Sequence, residues 1–269
     1  MRLALHCGCT APHTIFKAAS AGPLIDRDRP AVRRLRMKLR AAVKKFLKAQ
    51  APKVIAQVLR ARDDLAKSKS DVDRILAALD FDDWTVLTGD TDEIIERILA
   101  DAGAQALVQI GVSDDKITDL VNDRAVDYAK ERSAELVTRI SESTREMLRA
   151  DVADAMENGD SNDDLAATLE DNYGFSADRA DMIARTETAY ADVAGNLEAY
   201  RASGVVAGKK WITGEGCCDL CDELNGEVIG IDETFPTDDG DIDGPPYHPN
   251  CRCDVVPILD TEMDGEAEQ

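Results

Sequence analysis

From Pro30 almost to Gly204 apolar residues recur at three- and four-residue steps, and beyond Gly204 they do not. A repeat near 3.6 residues lines apolar side chains along one stripe of a helix, so this pattern commits about two thirds of the chain to α-helix. Over 30–65 the stripe is Val32, Leu35, Leu39, Val43, Phe46, Leu47, Val54, Ile55, Val58 and Leu59. Pro30 suits a first turn, whereas Pro52 lacks the N–H that an interior turn needs and predicts a kink or a division. Helices are further expected over 71–79, 91 to about 110, and 114–156. The first of these last two would be capped by Asp90-Thr91-Asp92, and the second is long enough to break or bend. Asn158-Gly159-Asp160 is a helix stop, a short helix follows over 163–169, and Ser176 caps another that runs to about Ser203 and ends at Gly204. Apolar residues make up 44% of the chain but aromatics only 4%, so the core is expected to consist of Leu, Ile, Val and Ala, which helices favour.

After Gly204 short β-like pieces at 209–213, 227–231 and 254–259 alternate with Gly, Asp and Pro. The expected fold is therefore mainly α with a small α+β C-terminal module: extended helices first, then a compact, loop-rich, metal-clamped domain. The sequence divides into a tail over 1–29, a helical region with a basic amphipathic arm over 30–158, a module over 160–259 and an acidic tail over 260–269.

Charge is distributed unevenly. The net formal charge is -21, yet between Arg27 and Arg62 nearly every charged residue is Lys or Arg, and from Asp63 onward carboxylates dominate, with Asp outnumbering Glu roughly two to one. The overall charge opposes binding of bare nucleic acid by the whole surface. The basic stretch can present either a solvated face or a docking face for an acidic partner or packaged nucleic acid. An Asp-rich, Lys-poor surface also suits concentrated salt, where screening removes self-repulsion, and points to a halophilic host. No stretch approaches the ~20 apolar residues that span a bilayer, and no membrane partner is expected. His6, Cys7, Cys9, Pro12 and His13 interrupt the first sixteen residues, so no export signal is read there. A reducing compartment is expected, where cysteine pairs serve more often as metal ligands than as disulfides.

The densest chemistry lies in the C-terminal module. Cys218-Asp-Leu-Cys221 is a CxxC pair, and His248-Pro-Asn-Cys251-Arg-Cys253 follows about thirty residues later. Two ligand pairs at this separation match a closed tetrahedral zinc site, and the candidates Cys218, Cys221, His248, Cys251 and Cys253 over-fill it. One of Cys217, His248, Cys251 or Cys253 therefore stands outside the coordination shell. A segment this poor in apolar residues gains folding free energy from a structural metal. Disulfides formed after release from the cell and reduced thiols without metal are the competing readings. His6, Cys7, Cys9 and His13 form a second possible ligand group, or an untidy tail.

Other chemistry is thin. Arg185-Thr186-Glu187 reads as an intrahelical pair with one buried hydroxyl, and Trp211 as core. Asp238-Asp239-Gly240-Asp241 lacks the closing Glu of a calcium loop and reads as a plain loop. With two of three histidines near the start and the third among the cysteines, no nucleophilic triad assembles, and no glycine loop for phosphate is present. The chain is not expected to be an enzyme.

Taken in order, Arg185-Thr-Glu-Thr, Gly204-Val-Val, Lys210-Trp211-Ile-Thr, Cys218-Asp-Leu-Cys-Asp-Glu-Leu-Asn-Gly226, Phe235 and Pro245-Pro-Tyr-His-Pro-Asn-Cys-Arg-Cys253 resemble the Mu F-type phage head morphogenesis domain. The motifs lie within 160–259, and the helical part before them is similar to the less regular N-terminal part of such proteins. The resemblance implies a low-copy structural protein of a tailed virus head, located in the virion at the portal vertex. Its implied partners are the portal protein, the major capsid or scaffold proteins and packaged DNA. Alternatives of another class are a zinc-dependent DNA-processing enzyme using His248, and a virus-delivered effector, since related modules are fused to toxins. The Asp-rich surface and the N-terminal His/Cys group depart from the family pattern.

Overall fold

A computed structural model describes residues 28–64, 71–112, 114–214 and 216–260. The N-terminal His/Cys group and nearly all of the acidic tail lie outside the described residues. In chain order the elements are helices α1 (Pro30–Asp64), α2 (Asp71–Ala77), α3 (Val86–Gln109), α4 (Asp114–Asn158), α5 (Asn162–Glu170) and α6 (Ala177–Ser203), strand β1 (Val206–Ile212), the single turn α7 (Asp219–Asp222), and strands β2 (Val228–Gly230) and β3 (Asp254–Leu259). The fold is mainly helical with one small sheet, as the change of pattern at Gly204 predicts. Among the described residues no helix is long and apolar enough to cross a membrane. The chain forms two compact units, each assembled from separate stretches: one from residues up to Arg36, 94–129 and 185 onward, the other from 37–93 and 130–184.

The second unit is all helix. Trp84, in a 3-10 turn over Asp82–Thr85, is buried and meets Phe46 edge to face at 5.2 Å and Phe81 at 4.5 Å. Such pairs add about 0.5–1.5 kcal/mol beyond their area. Arg145 donates to the carbonyls of Leu76 (2.9 Å) and Leu79 (3.1 Å), satisfying orphan acceptors at the end of α2, and lies 4.9 Å over the Phe81 ring. Arg179 is buried in this unit. It donates to Thr144 Oγ1 (2.7 Å), the Gly174 carbonyl (2.5 Å), the Ile140 carbonyl (3.0 Å) and Ser143 Oγ (2.7 Å), and burial lowers its pKa to about 10.

Two long helices prove continuous, so the division at Pro52 and the break within 114–156 do not occur, and one expected cap is corrected. The helix α1 is not divided at Pro52 but continues through it. Breaking the helix there would expose Val54, Ile55 and Val58, all buried, and burying three such side chains at about 1.5–3 kcal/mol each outweighs the ~3 kcal/mol that an interior Pro costs. The helix α4 is unbroken through 45 residues, because 114–158 contains neither Gly nor Pro and the buried series Leu136, Ile140, Leu148, Val152 and Ala155 keeps helical spacing. The Asp90-Thr91-Asp92 segment is no cap: α3 begins at Val86, and the buried Thr91 hydroxyl donates back to the Leu87 carbonyl at 3.0 Å, a bond open to any threonine inside a helix.

The expected stops are in place. At the end of α4 Gly159 takes φ 73 and the Asp160 N–H donates to the Ala155 carbonyl at 3.0 Å, the six-to-one bond of a Schellman motif. Ser176 accepts the Arg179 N–H at 3.0 Å and caps α6.

In the first unit, β1 is central in a three-stranded antiparallel sheet of order β2-β1-β3. Trp211, with no exposed surface, stands edge to face against Phe235 at 5.2 Å. These rings join Leu107 of α3, Val193, Leu197 and Tyr200 of α6, Val255 of β3 and the cysteines Cys221, Cys251 and Cys253 in one apolar cluster. The helices α3 and α6 approach so closely that a Cβ on Gly195 would strike the Leu99 carbonyl oxygen and lie 2.9 Å from Ala102 Cβ. Arg29, just ahead of α1, spans Asp101 on α3 (2.5 Å) and the fully buried Asp192 on α6 (2.9 Å).

Candidate metal centre

Two turns, each dictated by its own residues, bring the C-terminal cysteines and His248 together. In the first, Cys218 is the N-cap of α7 with extended backbone, and its carbonyl accepts the N–H groups of Cys221 (3.1 Å) and Asp222 (3.0 Å). This closes the CxxC segment into a turn with both thiols on one side. In the second, the Cys251 N–H donates to the His248 carbonyl at 3.1 Å across Pro249-Asn250. Pro in the second place and an Asn with φ 61 in the third follow the pattern of a type II turn, in which Pro presets its φ and Asn tolerates the left-handed region. The Asn250 N–H donates to Thr186 Oγ1 on α6 at 3.1 Å, so the buried hydroxyl expected in Arg185-Thr186-Glu187 fixes the tip of the His-Pro-Asn-Cys turn. The sequence pattern indicated a buried hydroxyl there; nothing in it indicated what the hydroxyl would meet.

The five candidate ligands converge. Cys218 Sγ lies 3.1 Å and Cys221 Sγ 3.2 Å from His248 Nε2, and Cys221 Sγ lies 3.7 Å from Cys251 Sγ. The ligand atoms form two triads, Cys218–Cys221–His248 and Cys221–Cys251–Cys253, each within 4.8 Å throughout and joined at Cys221. A zinc–sulfur bond of ~2.3 Å sets a sulfur–sulfur edge of about 3.7 Å in a tetrahedron, which the Cys221–Cys251 separation matches. A sulfur–nitrogen edge would be about 3.5 Å, a few tenths longer than the two imidazole contacts. His248 Nδ1 lies 2.8 Å from the Pro249 carbonyl, an arrangement that commits its proton to Nδ1 and turns the Nε2 lone pair towards the thiols. Cys217 Sγ lies 3.6 Å from the Asp222 carboxylate and belongs to neither triad.

Electrostatics agree with a shared anionic site. Contacts with Cys221 and Cys253 hold Cys251 well below the ordinary thiol range, helped by backbone N–H groups, while Cys221, beside the thiols of Cys251 and Cys253, is pushed up. Thiols this close cannot all ionise without a cation among them. The donor set, all sulfur and imidazole on tight turns, is one that could hold a metal ion, and soft thiolates favour zinc over magnesium or calcium.

One polar cluster of this unit carries no signal in the sequence. Asp243, in the loop ahead of the cis Pro245-Pro246 bond, receives Arg201 Nη2 of α6 at 2.6 Å and the Nζ of Lys209 on β1, whose side chain has no exposed surface. Next to it, a Cβ on Gly244 would come within 3.2 Å of Val193 and 3.3 Å of Leu197, so this loop lies directly on α6. The Asp238–Asp241 stretch is a loop, closed by the isolated bridge between Phe235 and Ile242.

Residues 146–256 match the model of a family described as Phage Mu protein F like protein. The chain is also 30% identical, over 164 residues, to the uncharacterized protein YqbB of Bacillus subtilis strain 168, covering 54% of this chain and 52% of that protein. It thus spans about half the length of the curated relative it matches. No solved structure matches the chain.

Proposed function

From the match of residues 146–256 to the phage Mu protein F-like family, we propose that the protein is a structural minor head protein of a tailed phage, built into the head at or near the portal vertex. The observation that carries this reading is that the family match ends on the Cys/His cluster and includes the helix that positions it. The Thr186 segment, the CxxC turn and the His-Pro-Asn-Cys turn are distant in sequence yet form one packed site. Such a site serves as a scaffold. Four of Cys218, Cys221, His248, Cys251 and Cys253 would close the shell of a structural Zn2+, whose binding free energy becomes folding free energy for a module short of core.

On this reading the partners are the portal protein and major capsid or scaffold proteins. Packaged DNA is a further contact, through the exposed cations Arg33, Arg34, Lys38, Lys44, Lys45 and Lys48 of α1. A zinc-dependent DNA-processing enzyme is disfavoured, because catalysis needs an open coordination position and five protein donors leave none.

The test has two arms. Metal analysis of the protein purified under reducing conditions should find one zinc per chain, and the Cys218→Ser, Cys221→Ser variant should lose it together with the cooperative unfolding of the C-terminal module. A metal-free, equally stable protein would remove the zinc. Purified heads assembled with and without portal protein should contain the chain only in the first case. Absence from both would overturn the head assignment, and equal presence in both would overturn the vertex placement.

A further inference from the structure

The five donors exceed what one ion needs and fall short of what two need. Two tetrahedral shells that share one sulfur require seven donors; among the described residues five converge here, in two triads joined at Cys221. One ion is therefore the rule, and one of the five must stand aside. The triads indicate which. Cys218, Cys221 and His248 are each tied to a different backbone constraint: the N-cap of α7, the turn that follows it, and the type II turn with its Nδ1 contact. Cys251, which closes that same turn, is paired with Cys253 by a feature the other three lack. They are two apart on one run that leads directly into β3, and alternate residues of an extended run point to the same side. Both are buried and both belong to the same triad with Cys221. Cys251 closes the His248 turn through its N–H and lies 3.7 Å from Cys221 Sγ, and Cys253 completes the same triad.

We propose that Cys251 and Cys253 are interchangeable fourth ligands, so that the centre holds its metal in either of two Cys3His sets sharing Cys218, Cys221 and His248. The inference rests on the zinc reading above. The chain then carries one thiol beside a filled shell that can replace its neighbour without release of the ion, which would let the module survive oxidation or alkylation of either Cys251 or Cys253.

The test compares Cys251→Ser, Cys253→Ser, the double variant and Cys221→Ser in the full chain, with zinc per chain and thermal unfolding as readouts. Cobalt(II) replacement adds a third, since its sulfur charge-transfer absorbance scales with the number of bound thiolates. Each single variant should keep one zinc per chain and a three-thiolate cobalt spectrum equal to that of the unaltered protein. The double variant should lose one thiolate from the spectrum and at least tenfold in metal affinity, and Cys221→Ser should lose the metal. Serine at a buried site can disturb packing, so both single changes are also made to alanine. If either position loses zinc as fully as Cys221→Ser in both its serine and alanine forms, the ligand set is fixed and the proposal is overturned. If both single variants lose a thiolate from the cobalt spectrum, both sulfurs bind at once and it is likewise overturned. Absence of zinc from the unaltered protein would overturn the zinc reading itself, an outcome distinct from these two.

Discussion

Asp243 serves two cations at once, one of them wholly buried. Burial opposes its ionisation, but the hydrogen bonds from Arg201 and Lys209 outweigh that cost and hold its pKa below the usual carboxylate range. Asp243→Asn would leave the Lys209 ammonium buried with a neutral partner. Loss of about 2–3 kcal/mol is expected, less than the 3–5 kcal/mol of a fully enclosed pair because the Asp243 side chain is about half exposed. A group with a depressed folded pKa contributes its stability above its unfolded value and loses it as pH falls through the folded one. Denaturant titrations should therefore show the full gap between the two proteins at neutral pH, a gap that narrows as pH falls below the unfolded carboxylate value of about 4 and closes only below the depressed folded value. A gap unchanged at pH 3 would mean that shape rather than charge holds the loop. At this scale the sequence was legible where a residue announces its chemistry, as Cys218, Cys221, His248, Cys251 and Cys253 do. It was silent about Asp243, one of many Asp residues in acidic loops, because nothing local marks the carboxylate that meets Lys209.

Among the elements, α5 shows how much of a short helix depends on its end. Its nine residues are too few to be stable alone, and they begin with a full capping box: Ser161 Oγ accepts the Asp164 N–H at 3.1 Å, and the Asp164 carboxylate accepts the Ser161 N–H at 3.3 Å. The serine hydroxyl donates to the same carboxylate at 2.6 Å, and these bonds hold Asp164 below its ordinary pKa. Ser161→Ala should lower stability by about 1 kcal/mol, and Ser161→Asp should retain most of it; equal loss in both would argue that capping is not the cause. The helices themselves were readable from apolar spacing, as were the caps and stops at Ser176, Gly159 and Gly204. Tertiary packing overrode the local signal at two places. Thr91 between two aspartates has the composition of a cap, but burial of Trp84 and Leu87 starts α3 five residues earlier. Pro52 has the composition of a break, but apolar stripes on both sides of it are buried.

For the whole molecule, the balance of 53 acidic against 32 basic residues is the dominant long-range term. Self-repulsion of this size weakens the compact state at low ionic strength and is screened as salt is added, with a Debye length of ~10 Å at 0.1 M and ~3 Å at 1 M. The melting temperature should therefore rise by several degrees between 0.05 and 1 M potassium chloride, roughly the effect of 1–2 kcal/mol for a chain of this size. A flat or falling profile would argue that local ion pairs such as Arg29 with Asp101 and Asp192 outweigh the global repulsion. The discontinuous make-up of the two units also sets an order on the ribosome. The unit built from 37–93 and 130–184 has all its sequence once Ala184 is made, and its helices can pack at that point. The other cannot close its core until Val255 has emerged to join Leu107 and Trp211, so the newly made surface of Leu107 must wait uncovered while residues 185–255 are translated. That interval is when the nascent chain most needs a chaperone, and a ribosome stalled anywhere between Gly204 and Cys253 would leave it without end.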